Sequence, residues 1–232
     1  MPATPAVVTP TYNEAENIEA FARRVFEALP EATLFVVDDG SPDGTGDMAE
    51  ALDGVLGSVR VLRREGKQGL ASAYKLGMGT ALEAGHDPIF QMDADLSHDP
   101  ADLPRLQAGH GDLAIGSRYV LGGGTRNWPL SRKLISRCGG FYARAVLGFP
   151  YRDPTGGFKC WRARCLQAID LQEVGSEGYV FQVETTWRAY KRGFAIVEVP
   201  IVFTERAAGA SKMSAGIARE AGWRIPALRF QR

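Results

Sequence analysis

Several common chemistries have little to work with in this chain. It carries only 3 cysteines in 232 residues, Cys138, Cys160 and Cys165, with no Cys-x-x-Cys spacing. That excludes a disulfide-stapled scaffold and a cysteine zinc site, and it reads as a protein of a reducing compartment. Histidine is scarcer still in effect: His86, His98 and His110 sit in no catalytic setting, and turn or surface roles are expected for them. Net charge is absent, with 27 Lys+Arg against 27 Asp+Glu, which excludes a strongly basic nucleic-acid binder. No run approaches the roughly 18 apolar residues of a membrane span. The segment from Met1 to Pro10 lacks a basic region and a long apolar core, so it does not read as a signal peptide. No repeat or low-complexity stretch is present. A soluble or peripheral protein is the expectation.

What is present is a division of charge. Residues 1–116 hold 8 basic and 19 acidic side chains, and residues 117–232 hold 19 basic and 8 acidic, so −11 and +11 sum to zero. Such asymmetry points to contact with a membrane or a polyanion. The acidic half suits a metal and the basic half suits phosphate. Length and composition, 45% apolar and 23% charged, fit one α/β domain over 1–232.

Short apolar runs at Ala6–Thr9, Leu34–Val37, Val59–Leu62, Ile89–Met92 and Leu113–Ile115 predict buried strands. Helical segments fall between them, at Ala15–Leu29, Thr45–Leu52, Gly69–Ala84 and Ala101–Gln107. Asn13 and Glu16 have the spacing of a capping box for the first helix. Repeated βα units predict a mostly parallel, Rossmann-like sheet flanked by helices, with ligands at the carboxyl ends of its strands. In the second half, 122–129 reads as a flexible loop, Leu130–Leu147 as a helix, 153–157 as a turn and Phe158–Trp161 as a short strand. Tyr179–Lys191 then reads as a helix closed by Gly193, Ala195–Phe203 as one strand, and 205–212 as a polar loop. The helix Leu130–Leu147 aligns Leu130, Leu134, Cys138, Phe141, Tyr142 and Ala145 on one stripe, with Lys133, Arg137 and Arg144 to another side. A core-facing helix and a membrane-surface helix both fit that pattern, and neighbouring Trp128 suits an interface equally well.

Carboxylates gather where strands end. Asp38, Asp39 and Asp43 follow the second strand, and Asp93 and Asp95 follow the fourth. Two carboxylates at i and i+2 repel unless a cation or hydrogen bonds offset the charge, and magnesium favours few carboxylates with phosphate oxygens and water. The segment Thr9–Glu14 lies at the first strand–helix junction, where Tyr12 can stack on a base and Glu14 can accept from base or ribose.

Pro10–Glu14, Val37–Asp43, Met92–Pro100 and Gly116–Tyr119, in that order, resemble the family 2 glycosyltransferases. More narrowly they resemble the bacterial-type polyprenol (dolichol) monophosphate mannose synthases. The likeness continues through Asn127–Pro129, Arg132–Ser136, Asp153–Phe158, Gly178–Gln182, Glu198–Ile201 and Thr204–Arg206 to Ser211–Ser214. It implies a GT-A fold, GDP-mannose as donor, a polyprenyl phosphate as acceptor and Mg²⁺ or Mn²⁺ as cofactor. By motif position it places Pro10, Tyr12, Glu14, Val37 and Asp39 at the guanosine. Asp93, Ala94 and Asp95 would hold the diphosphate, with Asp93 and Asp95 on the metal. Some relatives have a Gln ligand where this chain has Ser97. Arg118, Arg132 and Ser136 would take the acceptor phosphate, and Arg206 and Lys212 would close over the donor phosphates. Asp95, Arg118 and Arg132 are thus the expected catalytic groups. The implied division is a donor half (1–116), an acceptor half (117–213) and a C-terminal helix or tail (214–232).

A phosphate monoester, with its second pKa near 6, is already anionic at neutral pH, so no general base is required. Direct attack on an α-linked donor inverts the anomeric carbon and gives a β-linked product. The expected setting is the cytoplasmic face of a membrane, with no nucleic-acid partner and with a separate membrane anchor protein left open. Competing readings are transfer from a UDP-sugar and, in another class, a non-enzymatic membrane-surface adaptor. A processive synthase is disfavoured because Gln-x-x-Arg-Trp is missing.

Overall fold

The protein was studied as a computed structural model, which describes residues 3–205 and 215–230, the side chains of 215–220 excepted. Seven strands form the main sheet: β1 (Ala6–Thr11), β2 (Thr33–Asp38), β3 (Ser58–Arg63), β4 (Ile89–Gln91), β5 (Leu113–Ser117), β7 (Lys159–Trp161) and β8 (Ile196–Pro200), in the order β3-β2-β1-β4-β7-β5-β8. All pair in parallel except β7, which runs antiparallel between β4 and β5. A two-stranded parallel ribbon joins β6 (Gly124–Arg126) to β9 (Val202–Thr204). The helices are α1 (Ile18–Ala28), α2 (Thr45–Ala51), α3 (Leu70–Glu83), α4 (Leu103–Gln107), α5 (Leu130–Leu147), α6 (Ala163–Ala168), α7 (Gly178–Lys191) and α8 (Ala215–Phe230).

The near-continuous apolar strands follow from burial on both faces. Successive residues of β1 point opposite ways, so Val7 joins Phe21, Val25, Phe90 and Leu106 on one face. Val8 joins Phe35, Tyr74, Met78 and Trp161 on the other. A third cluster joins α5, α7 and α8 through Leu147, Phe149, Val183, Trp187, Ile225 and Leu228. Helix α3 lies unusually close to the sheet. A Cβ on Gly77 would stand 2.5 Å from Val8 Cγ1 and 2.8 Å from Val37 Cγ2, so only glycine admits this approach.

The predicted strands and helices of the first half are present with shifts of up to three residues. One local expectation is corrected. Helix α1 begins after Asn17, not after a capping box at Asn13. Asn13 is left-handed (φ 58°), and the 13–15 backbone donates to the loop after β2 instead: Asn13 N to Ser41 Oγ, Glu14 N to Thr45 Oγ1, and Ala15 N to Asp43 Oδ2. A tertiary partner took the donors a local cap would have satisfied. The loop 122–129 also contains β6, and the single strand 195–203 divides at Ile201 into β8 and β9.

Helix α5 spans the predicted residues, but its apolar stripe faces outward. Leu130, Leu134 and Phe141 are 82%, 64% and 69% exposed, while Gly140, Ala143 and Leu147 pack inward. Trp128 departs from its interfacial expectation: it is buried against Phe203 and beneath Arg132. No helix among the described residues is long and apolar enough to cross a membrane.

Candidate active site

Because β1, β2, β4, β5 and β8 are parallel, their carboxyl ends share one edge of the sheet. Strand β1 lies between β2 and β4, so chain direction switches beside it and a crevice opens there. Tyr12, Asp39, Asp93, Asp95 and Arg118 all follow strand ends on this edge.

On the β1–β2 side, Asp38 builds the loop: its carboxylate accepts from Thr11 Oγ1 (3.0 Å), Ser41 N (3.0 Å) and Ser41 Oγ (2.6 Å). Asp39 instead faces Arg64, which follows β3. It is buried, and Arg64 Nε stands 3.1 Å from Oδ1 without the alignment of a hydrogen bond, so both atoms lack hydrogen-bond partners. Burial pushes the Asp39 pKa up, with the Arg64 charge opposing. The exposed Tyr12 ring carries Lys67 Nζ 4.5 Å from its centroid. Glu14 accepts from Asn17 Nδ2 at 2.8 Å. Pro10 lies in β1, beside Val37 of β2. The Val37 side chain is packed into the core against α3, so that residue can offer a ligand only main-chain atoms.

At the end of β4, Tyr74 of α3 donates to Asp93 Oδ1 at 2.6 Å. Burial, then the Asp93 charge, raises the Tyr74 pKa well above its ordinary value, so the phenol remains a donor. Ser97 N donates to Asp95 Oδ1 at 2.9 Å, and Ala94 is buried between the two aspartates. The two carboxylates supply hard oxygen ligands in the small number that a Mg²⁺ or Mn²⁺ shared with phosphate requires. No cluster of three or more His, Cys, Asp or Glu ligands occurs among the described residues, so substrate oxygens and water would complete the shell.

At the end of β5, Arg118 forms a two-pronged pair with Asp153: Nε to Oδ2 at 2.7 Å and Nη2 to Oδ1 at 2.6 Å. Its backbone N also reaches Oδ2 at 2.9 Å. Thr155 Oγ1 takes a further Nη2 contact at 3.1 Å, and Nη1 makes no hydrogen bond among the described residues. Burial disfavours the Arg118 charge, but Asp153 outweighs it and raises the pKa. Glu198 of β8 holds the Asp153 turn by accepting from Arg152 N, Asp153 N and Ser117 Oγ. Arg132 stacks on Trp128 (4.3 Å) and pairs with Glu205 at 2.5 Å. Ser136 Oγ accepts from Tyr119 OH at 2.7 Å. Beyond it lies a cavity of about 360 Å³ lined by Tyr119, Arg137, Phe141, Arg144 and Arg152. Those three arginines form no ion pair among the described residues. Arg206 and Lys212 lie outside the described residues.

Sequence reasoning missed four contributors here: Arg64, Tyr74, Asp153 and His98. His98 is buried between Phe158 and Phe203, its Nδ1 unpartnered, and burial lowers its pKa. It belongs to the site's packed floor, not to a surface turn. Asp153 and His98 carried a signal, through their places in the Asp153–Phe158 and Met92–Pro100 motifs. Arg64 and Tyr74 reach the site from elements whose packing no local pattern reveals.

A mostly parallel sheet with acids at its switch point, faced by arginines, has the architecture of a GT-A-type glycosyltransferase. Residues 6–169 match the family described as Glycosyl transferase family 2, and the chain belongs to that family. It is 47% identical over 226 residues to the polyprenol monophosphomannose synthase of Mycolicibacterium smegmatis, covering 94% of this chain and 84% of that one. It is 50% identical over 216 residues to the undecaprenyl-phosphate mannosyltransferase of Micrococcus luteus, covering 92% and 89%. Among solved structures, glucosyl-3-phosphoglycerate synthase from Mycobacterium tuberculosis superposes with a TM-score of 0.68 at 21% identity, covering 98% of this chain and 79% of that one. A mannosyltransferase from Pyrobaculum calidifontis, in complex with GDP-Man and Mn²⁺, gives 0.58 at 16% identity, covering 98% and 63%. The two structures support the fold alone.

Proposed function

We propose that this enzyme transfers mannose from GDP-mannose to a polyprenyl phosphate with inversion, yielding a β-linked polyprenyl phosphomannose. The observation that carries the reading is one sheet edge presenting Asp39, Asp93, Asp95 and Arg118, with Arg132 and Ser136 of α5 tied to the Arg118 segment through Trp128 and Tyr119. The two relatives at 47% and 50% identity support mannose as the sugar and a polyprenyl phosphate as the acceptor.

In this reading Tyr12 stacks on the base, Glu14 and the main chain of Pro10 and Val37 line its pocket, and Asp39 accepts from its ring donors. Guanine offers N1–H and an exocyclic amine to one carboxylate, whereas uracil offers a single N–H. A carboxylate such as Asp39 can therefore take two bonds from guanine and one from uracil. Asp93, Ala94 and Asp95 place the diphosphate, with Arg206 and Lys212 proposed to cover it. A Mg²⁺ or Mn²⁺ ion on Asp93 and Asp95 would supply charge stabilisation to the leaving diphosphate. Tyr74 orients Asp93 for that task. Arg118 Nη1, Arg132 and Ser136 bind the acceptor phosphate, whose oxygen attacks without a base because it is already anionic. The phosphate competes with Glu205 for Arg132.

The outward apolar stripe of α5, beside the arginine-lined cavity, supports docking on an anionic membrane surface; we place the enzyme on the cytoplasmic face. The acidic half then serves the donor and the basic half the acceptor.

The deciding experiment offers GDP-mannose, UDP-glucose or UDP-GlcNAc with polyprenyl phosphate and either metal. Transfer from GDP-mannose alone is expected, abolished by EDTA and by Asp95→Ala. Transfer only from a UDP-sugar would overturn the donor assignment.

A further inference from the structure

A buried amide relay runs beneath Asp93, and the mechanism above does not use it. Trp161 Nε1 can only donate, and its acceptor is Gln91 Oε1 at 3.4 Å. That contact orients the Gln91 amide, whose Nε2 then donates to Gln182 Oε1 at 2.8 Å. Gln182 must therefore turn its Nε2 the other way. Lys159 Nζ, donating to the Gln182 carbonyl at 2.8 Å, pins the helix at this residue. Gln182 is only 3% exposed, yet its Nε2 makes no hydrogen bond among the described residues.

Gly157 shows where that nitrogen lies. A Cβ on Gly157 would meet Gln182 Nε2 at 3.7 Å and Asp93 Oδ2 at 3.9 Å. A fixed donor and a carboxylate oxygen thus flank the bare Cα of Gly157. Asp93 Oδ1 accepts from Tyr74, and Oδ2 is the oxygen that lies toward Gly157.

We propose that Gln182 is a donor-binding residue whose Nε2 donates to a hydroxyl oxygen of the transferred sugar, with Gln91 and Trp161 as positioning residues behind it. The proposal rests on the glycosyl-transfer reading and deepens it. A hydroxyl matches the pair because it can accept from the amide while donating to the carboxylate. A phosphate oxygen can only accept, so it could answer the amide but not the carboxylate. Gly157 keeps the space clear for that hydroxyl.

The test compares GDP with GDP-mannose on the metal-loaded, full-length enzyme. Gln182→Glu replaces the donor by an oxygen, Gln182→Met removes it, and Gly157→Ala fills the gap without touching the relay. Each is expected to lower kcat/KM for GDP-mannose at least tenfold while holding the Kd for GDP within about twofold by calorimetry. Gln91→Met should give a smaller loss of the same kind, since it only releases the Gln182 amide. GDP affinity falling in step with GDP-mannose affinity would overturn the sugar assignment, as would unchanged kcat/KM in Gln182→Met or Gly157→Ala. Gly157→Ala adds one methyl at ordinary contact distance, so it keeps the test available if a Gln182 variant fails to fold. Should wild type transfer only from another sugar nucleotide, the mannose reading fails, and the same comparison with that nucleotide and its free diphosphate decides the role of Gln182.

Discussion

Replacing Asp153 by Asn removes one charge and keeps the shape of the side chain. Asp153 is fully buried and Arg118 is nine-tenths buried, so the change strands a guanidinium that cannot shed its proton. Removing one partner of a buried pair typically costs about 3–5 kcal/mol, because the remaining charge is neither hydrated nor compensated. A chain of this length loses about 2–4 °C of Tm per kcal/mol, so Asp153→Asn should lower Tm by roughly 6–20 °C. The same residue fixes the direction of Arg118 Nη1, so KM for polyprenyl phosphate should rise while GDP affinity holds. The pH dependence follows from the direction of the Asp153 shift. Burial raises its pKa, but Arg118 outweighs burial and holds it below the ordinary 3.8. Its contribution is therefore complete above about pH 4 and is lost as pH falls through the depressed folded value. Thermal melts from pH 7 to pH 2 should show the gap between wild type and variant closing only below pH 4. A Tm change under 2 °C with an unaltered acceptor KM would refute this account of the pair.

Three further outcomes follow from single contacts. Gly77→Ala forces its methyl to within 2.5 Å of Val8, so it should cost about 1–3 kcal/mol in chemical denaturation despite alanine's better helix propensity. Glu205→Gln loosens the grip on Arg132 and should lower the acceptor KM with donor KM unchanged, as steady-state kinetics would show. Lys159 is held down to about 7 by burial, with Asp153 opposing. Between pH 7 and 10.5 the unfolded chain then binds more protons than the native one, and stability rises by up to about 1.4 kcal/mol per pH unit from this group. Lys159→Met should abolish that slope, read as the difference between wild-type and variant urea midpoints across this range.

Much of the fold was legible because β1 to β5 alternate with amphipathic segments, and burial on two faces leaves a plain apolar signature. The carboxylates were legible because they follow strand ends, and parallel strands bring their ends together. What stayed hidden depends on partners distant in sequence. Asn13 has the local form of a helix cap, yet its neighbours bond to residues some 30 positions away. Tyr74 has helical spacing typical of core, and its hydroxyl nonetheless reaches Asp93. The α5 stripe has the same periodicity whether it faces core or solvent, and only the packing of Gly140, Ala143 and Leu147 shows which face is covered.

By itself the sequence determined the alternating sheet, the acidic strand ends and the division into −11 and +11 halves, since each is a property of local pattern and composition. Tertiary structure decided how those halves meet. Strand β7, from the basic half, threads antiparallel between β4 and β5, and its preceding turn carries Asp153 to Arg118. The arginine expected to take the acceptor phosphate is thereby held by a carboxylate through Nε and Nη2, and Gln182 lies beside Asp93 at Gly157. Burial makes these pairings strong, and burial is a property of the assembled fold, so no stretch of sequence could display it.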